Sequence, residues 1–147
     1  MTSVGHAIRT ILSHHSADLV NAYFDTENRF AGATFETLEP NDHDAFSASD
    51  LLGAGLLDVP FLPRAVRTLL QTQCDAFNAL LAAVPHDVDL WRASDEQLLP
   101  AYALWTQVRK LDGVGPTRAS KLMARKRPRL IPVEYETIMT TPVSQAA

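Results

Sequence analysis

The chain has 147 residues, of which 46% are hydrophobic and 20% charged, values typical of one globular domain. No apolar run is long enough to cross a bilayer, and residues 1–19 space their apolar side chains with polar ones, unlike a signal peptide. The single cysteine, Cys74, excludes an intramolecular disulfide and is typical of a reducing compartment. We therefore expect a cytoplasmic protein that does not enter a membrane.

Charge is distributed unevenly along the chain, whose formal net charge is −4 at pH 7. Residues 1–106 contain 5 Lys and Arg against 14 Asp and Glu, whereas residues 107–147 contain 8 against 3. This asymmetry favours an anionic partner for the C-terminal segment. The alternative is that the basic segment packs against the acidic remainder, and composition does not distinguish the two.

The first half of the chain predicts short helices joined by turns. Residues 3–24 have apolar side chains at helical spacing, which predicts one helix or two separated at Ser16. Residues 28–44 are rich in turn formers, and we predict a loop with weak strand content. The stretch from Ser47 to Asp50 is typical of a helix start and leads into a short apolar helix that ends before Pro60.

The second half predicts three longer helices. Residues 64–84 show the clearest apolar face, with spacings of three and four. Residues 94–97 form a capping box for a helix that runs to about residue 110, with Pro100 as a kink or restart. A basic helix is predicted over residues 116–126.

Three further side chains are predicted to pack in the core. Cys74 lies on the apolar face of the 64–84 helix, and Trp91 and Trp105 are large enough to anchor a core. Residues 41–44, Asn-Asp-His-Asp, could hold a metal, but turn chemistry explains them without one. We expect no metal site and no cofactor.

These elements predict a mainly α fold, since strands and helices do not alternate as a parallel sheet requires. We expect a compact bundle of about five to seven helices, taken from the apolar periodicity. The predicted helical domain spans residues 1–132, followed by an irregular tail over residues 133–147. Within the domain, residues 101–126 are predicted to form a pair of helices joined by a tight hairpin.

The hairpin is predicted from its glycines. Gly113 and Gly115 permit a sharp chain reversal, and Pro116 suits the first position of the following helix. Val114 would point inward between the two helices. The start of the second helix would then expose backbone N–H groups and the positive end of the helix dipole, which suits a phosphate oxygen.

Basic side chains after the hairpin extend this positive site. Arg118 and Lys121 lie one helical turn apart and could flank one phosphate. Such contacts hold a nucleic-acid backbone but do not read its base sequence. The alternative is a structural turn with a solvated basic face. The predicted nucleic-acid-binding residues are Gly113, Val114, Gly115, Thr117, Arg118, Lys121 and Arg125.

Residues 111–119, Leu-Asp-Gly-Val-Gly-Pro-Thr-Arg-Ala, together with Leu122 resemble the DNA-binding helix–hairpin–helix motif. In that family the hairpin binds the DNA backbone without base specificity. The resemblance covers about twenty residues, so it describes a module. It implies non-sequence-specific DNA binding for this chain.

A longer stretch is similar to the helix–hairpin–helix DNA glycosylases, in which a Pro-Val-like segment and a catalytic Asp follow the hairpin. Here the segment RPRLIPVEYET follows, and the candidate acids are Glu134 and Glu136, both Glu where that family has Asp. The position of the Schiff-base Lys in that family is Thr117 here, which argues against lyase chemistry. The chain is also similar to a bacterial family of unknown function, which has the same four segments in the same order, GVGP, ASKL, RKRP and LIPV. This resemblance implies no activity.

We therefore expect DNA-backbone binding as the function, and no enzyme activity. The first alternative is a glycosylase-like base-excision enzyme or a degenerate relative of one. The second is a protein–protein interaction module that holds a protein partner or a second copy of the chain. The sequence does not distinguish DNA from RNA or single from double strands.

Overall fold

The computed structural model describes residues 16–57 and 60–133, and all regular secondary structure within those ranges is helical. The prediction of a mainly α fold is confirmed. None of these helices is both long and apolar enough to cross a membrane. The helices are α1 (Ser16–Phe24), α2 (Gly32–Thr37), α3 (Ala48–Leu56), α4 (Pro63–Arg67), α5 (Cys74–Ala82), α6 (Asp95–Val108) and α7 (Pro116–Lys126), with a π-helical segment at Thr68–Thr72 and a 3₁₀ turn at Leu90–Arg92.

Helix α7 packs against both α3 and α6, and α5 also packs against α6. Further contacts join α1 to α2 and α2 to α3. Each fully buried Leu in such a core stabilises the fold by about 1.5–3 kcal/mol. The apolar side chains that are almost completely buried include Leu69, Leu81, Leu104, Val108, Ala119, Leu122 and Met123.

Several predicted boundaries are confirmed. The capping box over residues 94–97 is present, with the Gln97 N–H donating to Ser94 Oγ at 3.3 Å and the Ser94 N–H donating to Gln97 Oε1 at 3.0 Å. A second capping box joins Ser47 to Asp50, whose Oδ2 accepts from the Ser47 N–H at 2.8 Å. Helix α7 has the predicted bounds. Of the predicted tail, only Val133 lies within the described residues.

The prediction of a loop over residues 28–44 is wrong in part, because helix α2 lies within it. Phe35 is buried in the core, and the Tyr23 ring packs so closely over Gly32 that a Cβ there would lie 2.2 Å from it. A six-residue helix is unstable alone, so this helix depends on tertiary packing that local pattern does not report.

The predicted single helix over residues 64–84 is interrupted. The π-helical segment inserts an extra residue, with the Gln73 N–H donating to the Thr68 carbonyl at 2.9 Å, and α5 begins at Cys74. The extra residue changes the register of the apolar face. Cys74 is consequently only partly buried, contrary to the prediction.

Of the two tryptophans, Trp91 differs from the prediction and Trp105 agrees with it in packing against the core. Trp91 is 78% exposed, because it lies in the three-residue turn at the edge of the domain, where the Leu90 N–H donates to the Arg129 carbonyl. Trp105 is half-buried and packs against the core.

Candidate nucleic-acid interface

The hairpin between α6 and α7 has the predicted turn. Gly113 has φ +70°, in the left-handed region that favours glycine. A Cβ at Gly113 would also lie 2.6 Å from Leu62 Cδ1, so the Leu62 side chain, which contacts the hairpin from the start of α4, would have to shift to admit a larger residue. The Val114 N–H donates to the Leu111 carbonyl at 3.0 Å and closes the turn.

Val114 and Gly115 have different environments. Val114 is buried with Leu111 between the helices, so it supports the hairpin and does not face a ligand. Gly115 precedes α7 as its N-cap, and a Cβ there would meet no atom within 4 Å. The backbone at Gly115 is therefore open to close approach from outside.

The N-terminal end of α7 is partly exposed. Pro116 is the first residue of α7, and Thr117 and Arg118, which follow in the first turn, are likewise partly exposed. The N–H groups of a first helical turn lack acceptors one turn back, and the helix dipole adds partial positive charge there. The Arg118 guanidinium donates to the Gly113 carbonyl and so lies across the hairpin.

Lys121 and Arg125 require a correction to the predicted binding residues, because both side chains are buried. Lys121 Nζ donates to the Leu57 carbonyl at 2.8 Å. Arg125 donates to the carbonyls of Phe35 and Leu38, and its Nε lies 2.9 Å from Asp50 Oδ1. These cations are held in the protein interior and do not face an external phosphate.

Three of the four buried cations in the α7 segment, here residues 121–127, contact the C-terminal ends of three other helices. Lys121 binds the end of α3, and Arg125 binds the end of α2. Arg127 donates to two carbonyls at the end of α5, those of Leu81 at 2.7 Å and Val84 at 2.9 Å. C-terminal carbonyls lack intrahelical donors and carry partial negative charge, which explains their pairing with cations. We call Lys121, Arg125, Lys126 and Arg127 the capping cations.

Asp50 is the carboxylate at the centre of the capping cations. It is completely buried, and Lys126 Nζ lies 2.6 Å from its Oδ2. Lys126 also donates to Asn41 Oδ1 and to the Asp42 carbonyl. Burial lowers the pKa of Lys126 below its ordinary value, against the opposing effect of its hydrogen bond to Asp50. Burial likewise lowers the pKa of Arg127.

Residues 41–44 contribute to the same network. The His43 carbonyl accepts from Arg127 at 2.7 Å, and Asp44 pairs with His86 at 2.8 Å. Within the ranges that the structure describes, no three potential metal ligands lie together. Through the His43 carbonyl and the contacts of Lys126, this loop binds the end of the α7 segment.

Two exposed cations that sequence reasoning did not connect with the hairpin lie beside it. Arg64 of α4 and Lys110, just after α6, line one cleft of about 400 Å³ that includes Leu111 and Asp112 of the hairpin. Neither cation forms an ion pair with any residue in the described part of the chain. Arg64 is distant in sequence and is brought close to the hairpin by tertiary contacts such as that of Leu62 with Gly113, so no sequence signal identified it.

The candidate acids Glu134 and Glu136 lie outside the described residues.

Comparison with known proteins identifies a family but no activity. No curated protein and no solved structure matches the chain. The family model described as "Family of unknown function (DUF6308)" matches residues 16–145, which include the helical domain and most of the predicted tail. The chain therefore belongs to DUF6308, a family of unknown function.

Proposed function

We propose that this protein binds the phosphate backbone of DNA, without base specificity, through the N-terminal end of α7. The observation that carries the proposal is the open backbone at Gly115, at the start of an eleven-residue helix, next to a hairpin that Gly113 closes. Backbone N–H groups and a helix dipole there would attract a phosphate oxygen. The cytoplasmic location expected from the single cysteine is part of the same proposal.

Exposed cations near the hairpin support an anionic ligand. Arg109 and Lys110 follow α6 directly, and Arg64 and Arg67 lie on α4, whose start contacts Gly113. All four side chains are exposed. They supply the charge that was expected from Lys121 and Arg125. With two or three phosphates contacted, affinity should fall with salt at a log–log slope of roughly −2 to −3.

The test compares two substitutions at Gly115. Gly115→Asp and Gly115→Asn both introduce good N-cap residues at an extended position with open space, so both variants should fold. Only Asp places a carboxylate where the phosphate would bind. Fluorescence anisotropy with a labelled duplex of neutral sequence should show at least a tenfold loss of affinity for Asp. The loss for Asn should be smaller, because its side chain also occupies the N–H groups of the first turn but adds no negative charge.

Equal binding by both variants and the unsubstituted protein would contradict the proposal. Absence of salt-dependent binding by the unsubstituted protein would also contradict it, and would favour the alternative of a protein partner at the hairpin.

A further inference from the structure

A polar cleft lies between two parts of the fold that meet beside the hairpin. One wall is α4 with its π-helical segment, and the other is the end of α6 with the first residues of the hairpin. Its volume of about 400 Å³ falls within the usual range of ligand pockets. Six of its eight lining residues are polar or charged, and the lining consists of Arg64, Thr68, Gln73, Phe77, Gln107, Lys110, Leu111 and Asp112.

The donor groups of this cleft suit a phosphate. Arg64 supplies a planar guanidinium and Lys110 an ammonium, and Lys110 Nζ lies 3.4 Å from the Gln107 side-chain oxygen. Asp112 is the carboxylate in the lining, so the cations outnumber it. An anion bound here would receive charge-assisted hydrogen bonds from two side chains that have no ion pair among the described residues.

The backbone irregularity of the fold lines the same cleft. Thr68 and Gln73, which the π-type hydrogen bond joins, both contribute to the lining. Single π turns are rare and occur frequently at functional sites, because the extra residue redirects neighbouring side chains. Here the turn brings a hydroxyl and an amide to a cleft that already contains two cations.

We propose that this cleft binds a phosphate group, with Arg64 and Lys110 as its charged ligands. The phosphate could come from a DNA strand that continues past the hairpin or from a free nucleotide. Binding of a DNA phosphate in the cleft rests on the proposed function. Binding of a free nucleotide there does not.

The first experiment titrates the ¹⁵N-labelled protein with deoxythymidine monophosphate and follows backbone amide shifts. Saturable shifts are expected at Thr68, Gln73 and Lys110. Arg64→Gln should weaken this binding by about tenfold, the loss of one charge-assisted contact. Asp112→Asn should strengthen it several-fold, because a repelling carboxylate is removed.

Opposite effects of these two substitutions are not expected from a general loss of structure. Absence of saturable shifts at these amides, or equal affinity of both variants and the unsubstituted protein, would overturn the inference.

The second experiment separates the two sources of phosphate and keeps the cleft distinct from the proposed function. If the strand supplies the phosphate, Arg64→Gln should reduce the salt slope of duplex binding by about one. If the nucleotide binds the cleft while duplex DNA does not bind at all, the proposed function fails and the cleft inference stands. If Gly115→Asp abolishes duplex binding but nucleotide shifts are absent, the cleft inference fails and the proposed function stands.

Discussion

The two ends of α7 look alike in sequence but differ in the folded protein. Both are basic, with Arg118 near the start and the capping cations from Lys121 onward. The first turn is partly exposed beside an open glycine, whereas every capping cation is at least nine-tenths buried. A basic run is therefore not by itself a binding surface. Its role depends on what packs against it, and here three helix ends do.

The acidic remainder of the chain packs on the capping cations mainly through backbone carbonyls. Among the described carboxylates, Asp50 alone is completely buried with them, while the ends of α2, α3 and α5 supply neutral acceptors. A cation at a helix C-terminus gains from both the free carbonyls and the dipole. The C-terminal half of α7 therefore organises three other helices, and its first turn remains available for a ligand.

The largest expected effect is from Asp50→Asn, which leaves two buried cations without their carboxylate. We expect a loss of about 3–5 kcal/mol in the free energy of unfolding, measured by urea denaturation with circular dichroism. Asp75→Asn, at an exposed position in α5, is the control and should change stability by less than about 0.5 kcal/mol. Similar stabilities for the two variants would show that Asp50 does not hold the network.

At the other end of α7, backbone conformation should matter more than charge. Gly113→Ala combines a positive φ with a clash against Leu62, so we expect a loss of about 1–3 kcal/mol by the same denaturation experiment. Gly115→Ala has an extended φ and open space, and should cost less than about 1 kcal/mol. An equal cost at both glycines would contradict the described hairpin.

Lys121→Met tests whether the buried C-terminal half of α7 contributes to DNA binding. It removes the hydrogen bond to the end of α3 and keeps an apolar side chain of similar length, so a loss of about 1–2 kcal/mol in stability is expected. Duplex affinity per folded molecule should be unchanged, unlike that of Gly115→Asp. If the folded Lys121→Met variant bound duplex DNA more weakly than the unsubstituted protein, Lys121 would be a DNA-binding residue after all.

The smallest expected effect is a pH dependence from Lys126. Its pKa is lowered in the folded protein, so the unfolded chain binds more protons between that value and 10.5. The free energy of unfolding should therefore rise with pH across this interval. Denaturation from pH 8 to 10.5 should show this rise relative to Lys126→Met. A fall relative to that variant would mean that the pairing with Asp50 outweighs burial.

Sequence patterns predicted the hairpin and the bounds of α7 because their causes are local. A left-handed glycine, a proline at the first helical position and a reciprocal cap each act within a few residues. Helix α2 and the π turn were missed because their stability depends on packing. The position of Arg64 beside the hairpin depends on a contact between segments distant in the chain.

Local sequence patterns were sufficient to predict a mainly α chain, the tight turn at Gly113 and a basic segment that attracts negative charge. The position of that negative charge depends on how the helices pack. Helix ends expose carbonyl groups at points that depend on how the chain folds, and three such ends converge on the second half of α7. The cations there are buried for that reason, and the open surface is the short first turn with its neighbouring cleft.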